Sequence, residues 1–201
     1  MARLSGFGLT LVPVWPYGFQ RVEGRPDAVT VSHFGKDPAR AVTVSADQKS
    51  FVLKDAESPE EVVDVLEGPD ERVWRIETGP FTVRWPERFE ISSQPAGDST
   101  PFYLHGAKGA LIYPQGPLHP AEVPADFTAP GQTVVHKESG SSVETIELTY
   151  RHDGAEWFQS HHLVPLGRRV LIITAQCPAA DAATTLRAVE TVARSVTVRN
   201  G

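Results

Sequence analysis

The sequence predicts an α+β fold: an antiparallel β-sheet with helices packed on it, preceded by a β-rich N-terminal segment. Three observations carry this. Seventeen prolines and sixteen glycines, spread along 201 residues, punctuate the chain into many short elements joined by turns. Asp153-Gly154 sits between two strand-like runs, and both residues tolerate the positive φ of a tight hairpin turn. Near the C-terminus Ala182, Leu186, Val189, Ala193 and Val196 step by four and three, the apolar stripe of a helix over about 180–195.

The elements follow in order. Residues 8–15 read as a strand whose Pro13 suits an edge. Strands at 28–34 and 41–46 both contain Val-Thr-Val-Ser, and Gly35-Lys36-Asp37-Pro38 between them is hairpin chemistry. Residues 50–54 add a short strand. Ser58-Pro59-Glu60-Glu61 has the form of a helix start: a capping hydroxyl, a proline at the first helical position and a carboxylate reaching back. That short helix would bury some of Val62, Val63, Val65 and Leu66 and stop at Gly68-Pro69. Strands are expected at 73–76 and 81–85, then short ones at 102–104 and 110–113. Five prolines within 114–131 mark a long surface loop.

The last 60 residues are the most legible, with strands at 143–151, 155–164 and 169–176. A two-residue Asp153-Gly154 turn sets Tyr150 opposite Trp157, Leu148 opposite Gln159 and Ile146 opposite His161. Arg151 falls opposite Glu156 as a cross-strand ion pair. Val170 and Ile172 lie on one face of the third strand, Leu171 and Ile173 on the other, so this strand is central and covered on both sides. Glu190 and Arg194 pair on the exposed side of the helix.

Composition excludes several function classes. The apolar fraction of 40% and charged fraction of 22% are those of a globular chain. A net charge of −6 with scattered Arg and Lys gives no basic footprint for nucleic acid or for an anionic membrane surface. One cysteine, Cys177, allows neither an intramolecular disulfide nor a Cys-rich zinc site; it reads as a small buried hydrophobe at a strand end. Gly6, Gly8, Pro13 and Pro16 break up the N-terminal apolar stretch, and no run reaches the length of a bilayer span. The expected location is the cytoplasm. Few lysines beside many arginines, with one asparagine at Asn200, point to a bacterial source.

Phe81-Thr82-Val83-Arg84-Trp85-Pro86-Glu87-Arg88-Phe89, a strand running into a proline and then an aromatic, resembles the opening of domains in the PsbP-like α/β/α superfamily. The close is similar too: a Gly-turn meander, the strand Val170 to Gln176, and a helix finishing near Ser195. The resemblance covers about residues 73–198. Members of that superfamily include a photosystem II extrinsic subunit, a Ran-binding nuclear import factor and bacterial proteins of unknown role. The resemblance therefore implies a non-enzymatic domain that binds a protein partner, and it supplies no catalytic residues. It divides the chain into a β-rich segment with a short helix, 1–72, packed on a main α+β domain, 73–201. Trp15-Pro16-Tyr17-Gly18-Phe19 repeats the Trp-Pro-x-x-Phe of Trp85 to Phe89, for which coincidence in a Pro-rich β protein is the favoured explanation and an old duplication the alternative.

Chemical motifs are absent. His161-His162 is the one adjacent histidine pair, and in a strand the two point to opposite faces and cannot chelate one ion. There is no Gly-x-Ser-x-Gly elbow, no Ser-x-x-Lys and no Gly-x-Gly-x-x-Gly. Gly106-Ala107-Lys108-Gly109 lacks the rest of a P-loop and reads as a turn. No cofactor and no metal is expected.

Two groups of residues remain as candidates. Trp157, Gln159, His161, Thr174 and Gln176 share one sheet face, with a loop over Pro165–Arg168 setting Gln159 opposite Thr174 and Trp157 opposite Gln176. Buried polar groups there either satisfy one another or line a cleft, in which His161 would be the acid–base or ligand contact. Trp15, Tyr17, Trp85 and Phe89 form an interaction surface if they are exposed together. The leading reading is a non-catalytic protein–protein interaction domain, an adaptor or accessory subunit whose partner is another protein. The alternatives are a small-ligand sensor using a sheet–helix cleft, and an enzyme of unrecognised type.

Overall fold

The computed structural model describes residues 75–86, 88–91, 100–140 and 142–199 with their side chains; of Trp74, Ser92 and the strands before residue 74, the backbone alone. The N-terminal strands are β1 (Leu4–Gly6), β2 (Leu9–Pro13), β3 (Tyr17–Arg21), β4 (Ala28–His33), β5 (Ala41–Asp47), β6 (Ser50–Ala56) and β7 (Asp64–Leu66). Then come β8 (Trp74–Glu77), β9 (Phe81–Trp85), β10 (Glu90–Ser92), β11 (Tyr103–His105) and β12 (Leu111–Leu118). The chain closes with β13 (Thr133–Ser139), β14 (Glu144–His152), β15 (Ala155–Leu166), β16 (Arg169–Pro178), helix α1 (Ala182–Arg194) and β17 (Thr197–Val198).

Among the described residues these strands form two antiparallel sheets. The larger runs β13-β14-β15-β16-β12-β11-β10-β6-β5-β4-β3-β7, and the smaller β1-β2-β8-β9-β17. Sequence and structure agree on the class: antiparallel sheet plus a C-terminal helix. The N-terminal strands join the rest by backbone pairing at two places, β2 with β8 and β6 with β10.

The helix expected from Ser58 does not reach its predicted end. Asp64–Leu66 is a strand, paired with Tyr17–Phe19; residues 57–63, with the cap, lie outside the described residues. The reason is local. A helix of two or three turns is marginal, and Val65, with its stiff β-branched side chain, fits a free sheet edge better. The Gly35–Pro38 connection also lies outside the described residues, but the strands it joins pair as expected, Val31 with Val42.

The Asp153-Gly154 hairpin forms as the sequence requires. Asp153 has φ 49° and Gly154 φ 77°, the two positive angles of a type I′ turn. Tyr150 pairs with Trp157, Leu148 with Gln159 and Ile146 with His161. Arg151 lies opposite Glu156 but donates instead to the Gly154 carbonyl, at 3.0 Å. A Cβ at Gly154 would meet nothing within 4 Å, so Gly154→Ala isolates the backbone cost. Urea denaturation is expected to show a loss of about 1 kcal/mol with an unchanged slope.

The next turn is tighter than the sequence predicts. β15 runs on through Pro165 and Leu166, and Gly167-Arg168 alone makes the bend, with Leu166 opposite Arg169 and Gly167 at φ 61°. Pro165 is tolerated because β14 pairs no further than Leu163, so its missing N–H costs no ladder bond on that side. The register therefore slides by two: Gln159 faces Gln176 and His161 faces Thr174. An even slip preserves every face.

β16 is central, between β15 and β12, with Leu171, Ile172 and Ile173 all buried. Under one face α1 packs on β15, β16 and β9. Ile76, Phe81, Val83, Trp85, Phe102 and Ile173 meet Val189, Val192 and Ala193 in one cluster. The helix buries Thr185, Val189, Val192 and Ala193, with Ala182, Leu186 and Val196 partly buried at its margins. Glu190 and Arg194 pair on its outside at 3.7 Å. Cys177, next to last in β16, is fully buried, its thiol pKa raised by desolvation.

Candidate functional site

The face of the large sheet away from α1 carries the residues the sequence singles out. Registers place Trp157, Gln159 and His161 on β15 beside Thr174 and Gln176 on β16, with Ile146, Leu148 and Tyr150 on β14. β12 adds Tyr113, opposite Thr174, and β11 adds Tyr103, whose ring centroid is 5.5 Å from that of Tyr113. Ile146, Leu148, Ile172, His161 and Thr174 are buried. Tyr103, Tyr113, Tyr150, Trp157, Gln159 and Gln176 are half-buried. The face is thus shut at the end around Ile146, His161 and Ile172, and half-buried aromatics flank it: Tyr113 and Tyr103 across the strands from His161, and Tyr150 and Trp157 farther along β14 and β15.

The shut end lies under residues 119–132, the Pro-rich segment expected as a free surface loop. Part of the expected loop is strand, since β12 extends to Leu118. The remainder is exposed except at Val123, Phe127 and Gln132. The Phe127 ring lies 4.7 Å from that of His161. Gln132 starts a hydrogen-bond chain whose direction is fixed at its origin. The Ala129 N–H donates to Gln132 Oε1 at 2.8 Å, so the Gln132 Nε2 donates to Gln159 Oε1, also at 2.8 Å. Gln159 Nε2 then faces His161 Nε2 at 3.1 Å and must donate to it. His161 accordingly carries its proton on Nδ1 and gives it to Thr174 Oγ1 at 3.0 Å. Thr174 also lies close enough to Tyr113 to hold its pKa down against the larger rise from burial.

The chain requires a neutral imidazole, and burial enforces one. Desolvation lowers the His161 pKa from 6.5 to about 4. It also raises the pKa of Tyr113 and Tyr150. Both His161 nitrogens are occupied, which leaves no lone pair free to take a proton from a bound molecule. This arrangement holds the imidazole in one tautomer and one orientation.

His162 faces the helix side, as alternation demands, with Nδ1 3.3 Å from Thr145 Oγ1. Its Nε2 and the Ser160 hydroxyl are buried without a hydrogen-bond partner. Desolvation, with His161 and Arg194 adding repulsion, lowers its pKa to about 4. The two histidines therefore point apart. Gly106–Gly109 is a 3₁₀ turn joining β11 to β12. A cavity of about 500 Å³ elsewhere is lined by Arg84, Arg187, Glu190, Thr191, Arg194 and Ser195. Glu190 already engages Arg194 there, and the adjoining C-terminal end of α1 opposes an anion.

The aromatic surface expected at Trp15, Tyr17, Trp85 and Phe89 is corrected for two of its members. Trp85 is 3% exposed and Phe89 6%, and Trp85 Nε1 donates to the Phe89 carbonyl at 2.7 Å. The Phe89 carbonyl is brought back to the indole, and both side chains belong to the core. Trp15 and the Tyr17 side chain lie outside the described residues. Sequence reasoning missed Gln132, Phe127 and Tyr113, because a segment punctuated by proline has no periodicity to tell which side chains turn inward.

No protein-family model matches the chain, and no curated protein matches it in sequence. Among solved structures, the chain is similar to one titled as the crystal structure of LpqN involved in cell envelope biogenesis of Mycobacterium tuberculosis. The identity is 15%, the TM-score 0.36, and the alignment covers 61% of this chain and 85% of that one.

Proposed function

We propose that the chain is a non-catalytic binding domain, an accessory or adaptor subunit, which docks another protein on the half-buried aromatics that flank the shut end of its large sheet face. One observation carries the reading: the half-buried aromatics Tyr103, Tyr113, Tyr150 and Trp157 surround a polar chain that is internally satisfied and held neutral. Aromatic side chains on a water-accessible face supply contact area at low cost in conformational entropy, the usual composition of an interface centre. The small-ligand alternative has less support, because Gln159, His161 and Thr174 spend their hydrogen-bonding capacity on one another.

The PsbP-like assignment, the division at residues 72 and 73, a bacterial source and a cytoplasmic setting belong to the same proposal. The sheet meander closed by a terminal helix supports the first of these. Among the described residues no helix is long and apolar enough to cross a membrane.

Crosslinking and capture from the source cells tests the reading. Wild type and the exposed control Glu156→Ala are expected to retain the same partner, and Tyr103→Ala with Trp157→Ala to lose it by at least about tenfold, the cost of hot-spot residues. Equal capture by the double variant, with its fold intact, would remove the proposed surface.

A further inference from the structure

We infer that residues 119–132 form a strap over the shut end of the sheet face, and that protonation of His161 releases it. The strap is braced within itself. His119 and Glu122 cap a short 3₁₀ turn, Asp126 accepts from the Thr128 N–H, and Gln132 accepts from the Ala129 N–H. Two short side-chain contacts tie it to the sheet, Gln132 to Gln159 and Phe127 to His161, beside a charge attraction between exposed Asp126 and Lys137 of β13. Both converge on one imidazole. A segment held this lightly opens at far lower cost than the core strands beneath it.

The switch follows from the polarity of the hydrogen-bond chain. His161 Nε2 is an acceptor; protonation makes it a donor, set against the donating Gln159 amide. If Gln159 flips to present its oxygen, its NH₂ meets the NH₂ of Gln132. If Gln132 flips in turn, its NH₂ meets the Ala129 N–H, which is backbone and cannot flip. Two donors are opposed wherever the defect is placed, and an opposed buried pair costs more than a missing bond. Opening the strap lets water solvate the imidazolium and removes the conflict.

Among the described residues desolvation accounts for the lowered His161 pKa, and Lys137 on β13, beside Ile146, is engaged by Glu144 at 3.3 Å. β14 presents Ile146 and Leu148, β16 presents Ile172, Thr174 and Gln176, and β12 presents Tyr113, reached through Thr174. His162 lies on the opposite face, and its charge would add repulsion. The strap's own titratable groups are Glu122 and Asp126, both exposed, and His119, whose Nδ1 accepts from the Ala121 N–H. His119 is therefore the control.

Hydrogen exchange on the free chain tests the switch without any partner, so its failure and that of the docking proposal are separate results. With the imidazole at about 4 when closed and at its ordinary value when open, the opening equilibrium is expected to rise by up to about tenfold per pH unit between roughly pH 6.5 and pH 4. The amides of 119–132 should lose protection on that slope, after correction for intrinsic rates, while those of β15 and β16, which exchange only through global unfolding, stay better protected than the strap at every pH. His161→Gln should flatten the slope, and His119→Gln and His162→Gln should keep it. Phe127→Ala should leave the strap open at neutral pH in an otherwise folded chain. A strap whose protection does not change with pH, or a slope that survives His161→Gln, overturns the inference. Should His161→Gln fail to fold, full protection of the strap in Phe127→Ala would do so as well.

Discussion

Stability is expected to fall steeply as the pH drops from about 6.5 to about 4, and most of that loss should disappear when both buried histidines are replaced. His161 and His162 titrate near pH 4 in the folded chain and at 6.5 in an unfolded one. The folded-state values are depressed, so the unfolded chain binds the extra protons throughout that window. Each histidine thus contributes stability that is complete above the unfolded pKa and lost as pH falls toward the folded one. A depression of this size corresponds to about 3 kcal/mol for each imidazole. Together that is a large share of the roughly 5–15 kcal/mol by which domains are stable. Urea midpoints at about pH 7.5, 6 and 5 measure the slope. The His161→Gln, His162→Gln double variant should retain only the shallower acid dependence contributed by carboxylates. Equal slopes in wild type and double variant would contradict the burial of neutral histidines on both faces of one strand.

Trp85→Ala is expected to cost about 3–5 kcal/mol, the range for deleting a large aromatic from a packed core. The indole lies in the cluster shared by the two sheets and α1, and its Nε1 satisfies the Phe89 carbonyl. Truncation leaves a cavity and an unpartnered acceptor together, and few single changes destabilise more. Trp85→Phe should cost less, since most of the volume stays and only the hydrogen bond is lost. A shift of the urea midpoint at constant slope is the measurement. Partner capture by the fraction that remains folded should be unchanged. A Trp85→Ala variant as stable as wild type but deficient in capture would restore the reading of this residue as interaction surface.

The different fates of Trp85 and Trp157 show where sequence reasoning has purchase. Both are tryptophans in strands, and composition ranks them equally. Trp157 faces a side whose neighbours alternate polar and apolar, so it stays half-buried against Tyr150 at a ring separation of 6.3 Å. Trp85 ends a short strand covered by the C-terminal helix, some hundred residues later in the chain. Its burial depends on that long-range contact, which no local pattern records.

The hairpins show the same division. Asp153-Gly154 specified its turn, its register and the face of every residue on β14 and β15, because two positive φ angles and a period of two leave one solution. The helix over Ala182–Arg194 was equally fixed by its stripe. At Gly167 the glycine marked a turn without saying how many residues it takes. Pairing with β16 carried the strand through Pro165 and chose the two-residue bend. Near Ser58 a strong helix-start pattern ran into β-branched residues beside an open sheet edge, and Asp64–Leu66 joined the sheet.

By itself, then, the sequence determined the antiparallel class, the C-terminal meander and helix, and the sharing of one face by Trp157, Gln159, His161, Thr174 and Gln176. These rest on backbone angles and short periodicities, which act between neighbours. The tertiary structure alone decided that the Pro-rich segment lies over that face, that Gln132 extends the hydrogen-bond chain to Gln159, and that His161 is held neutral. Desolvation and polar satisfaction depend on which distant surfaces meet, and local pattern carries no record of that meeting.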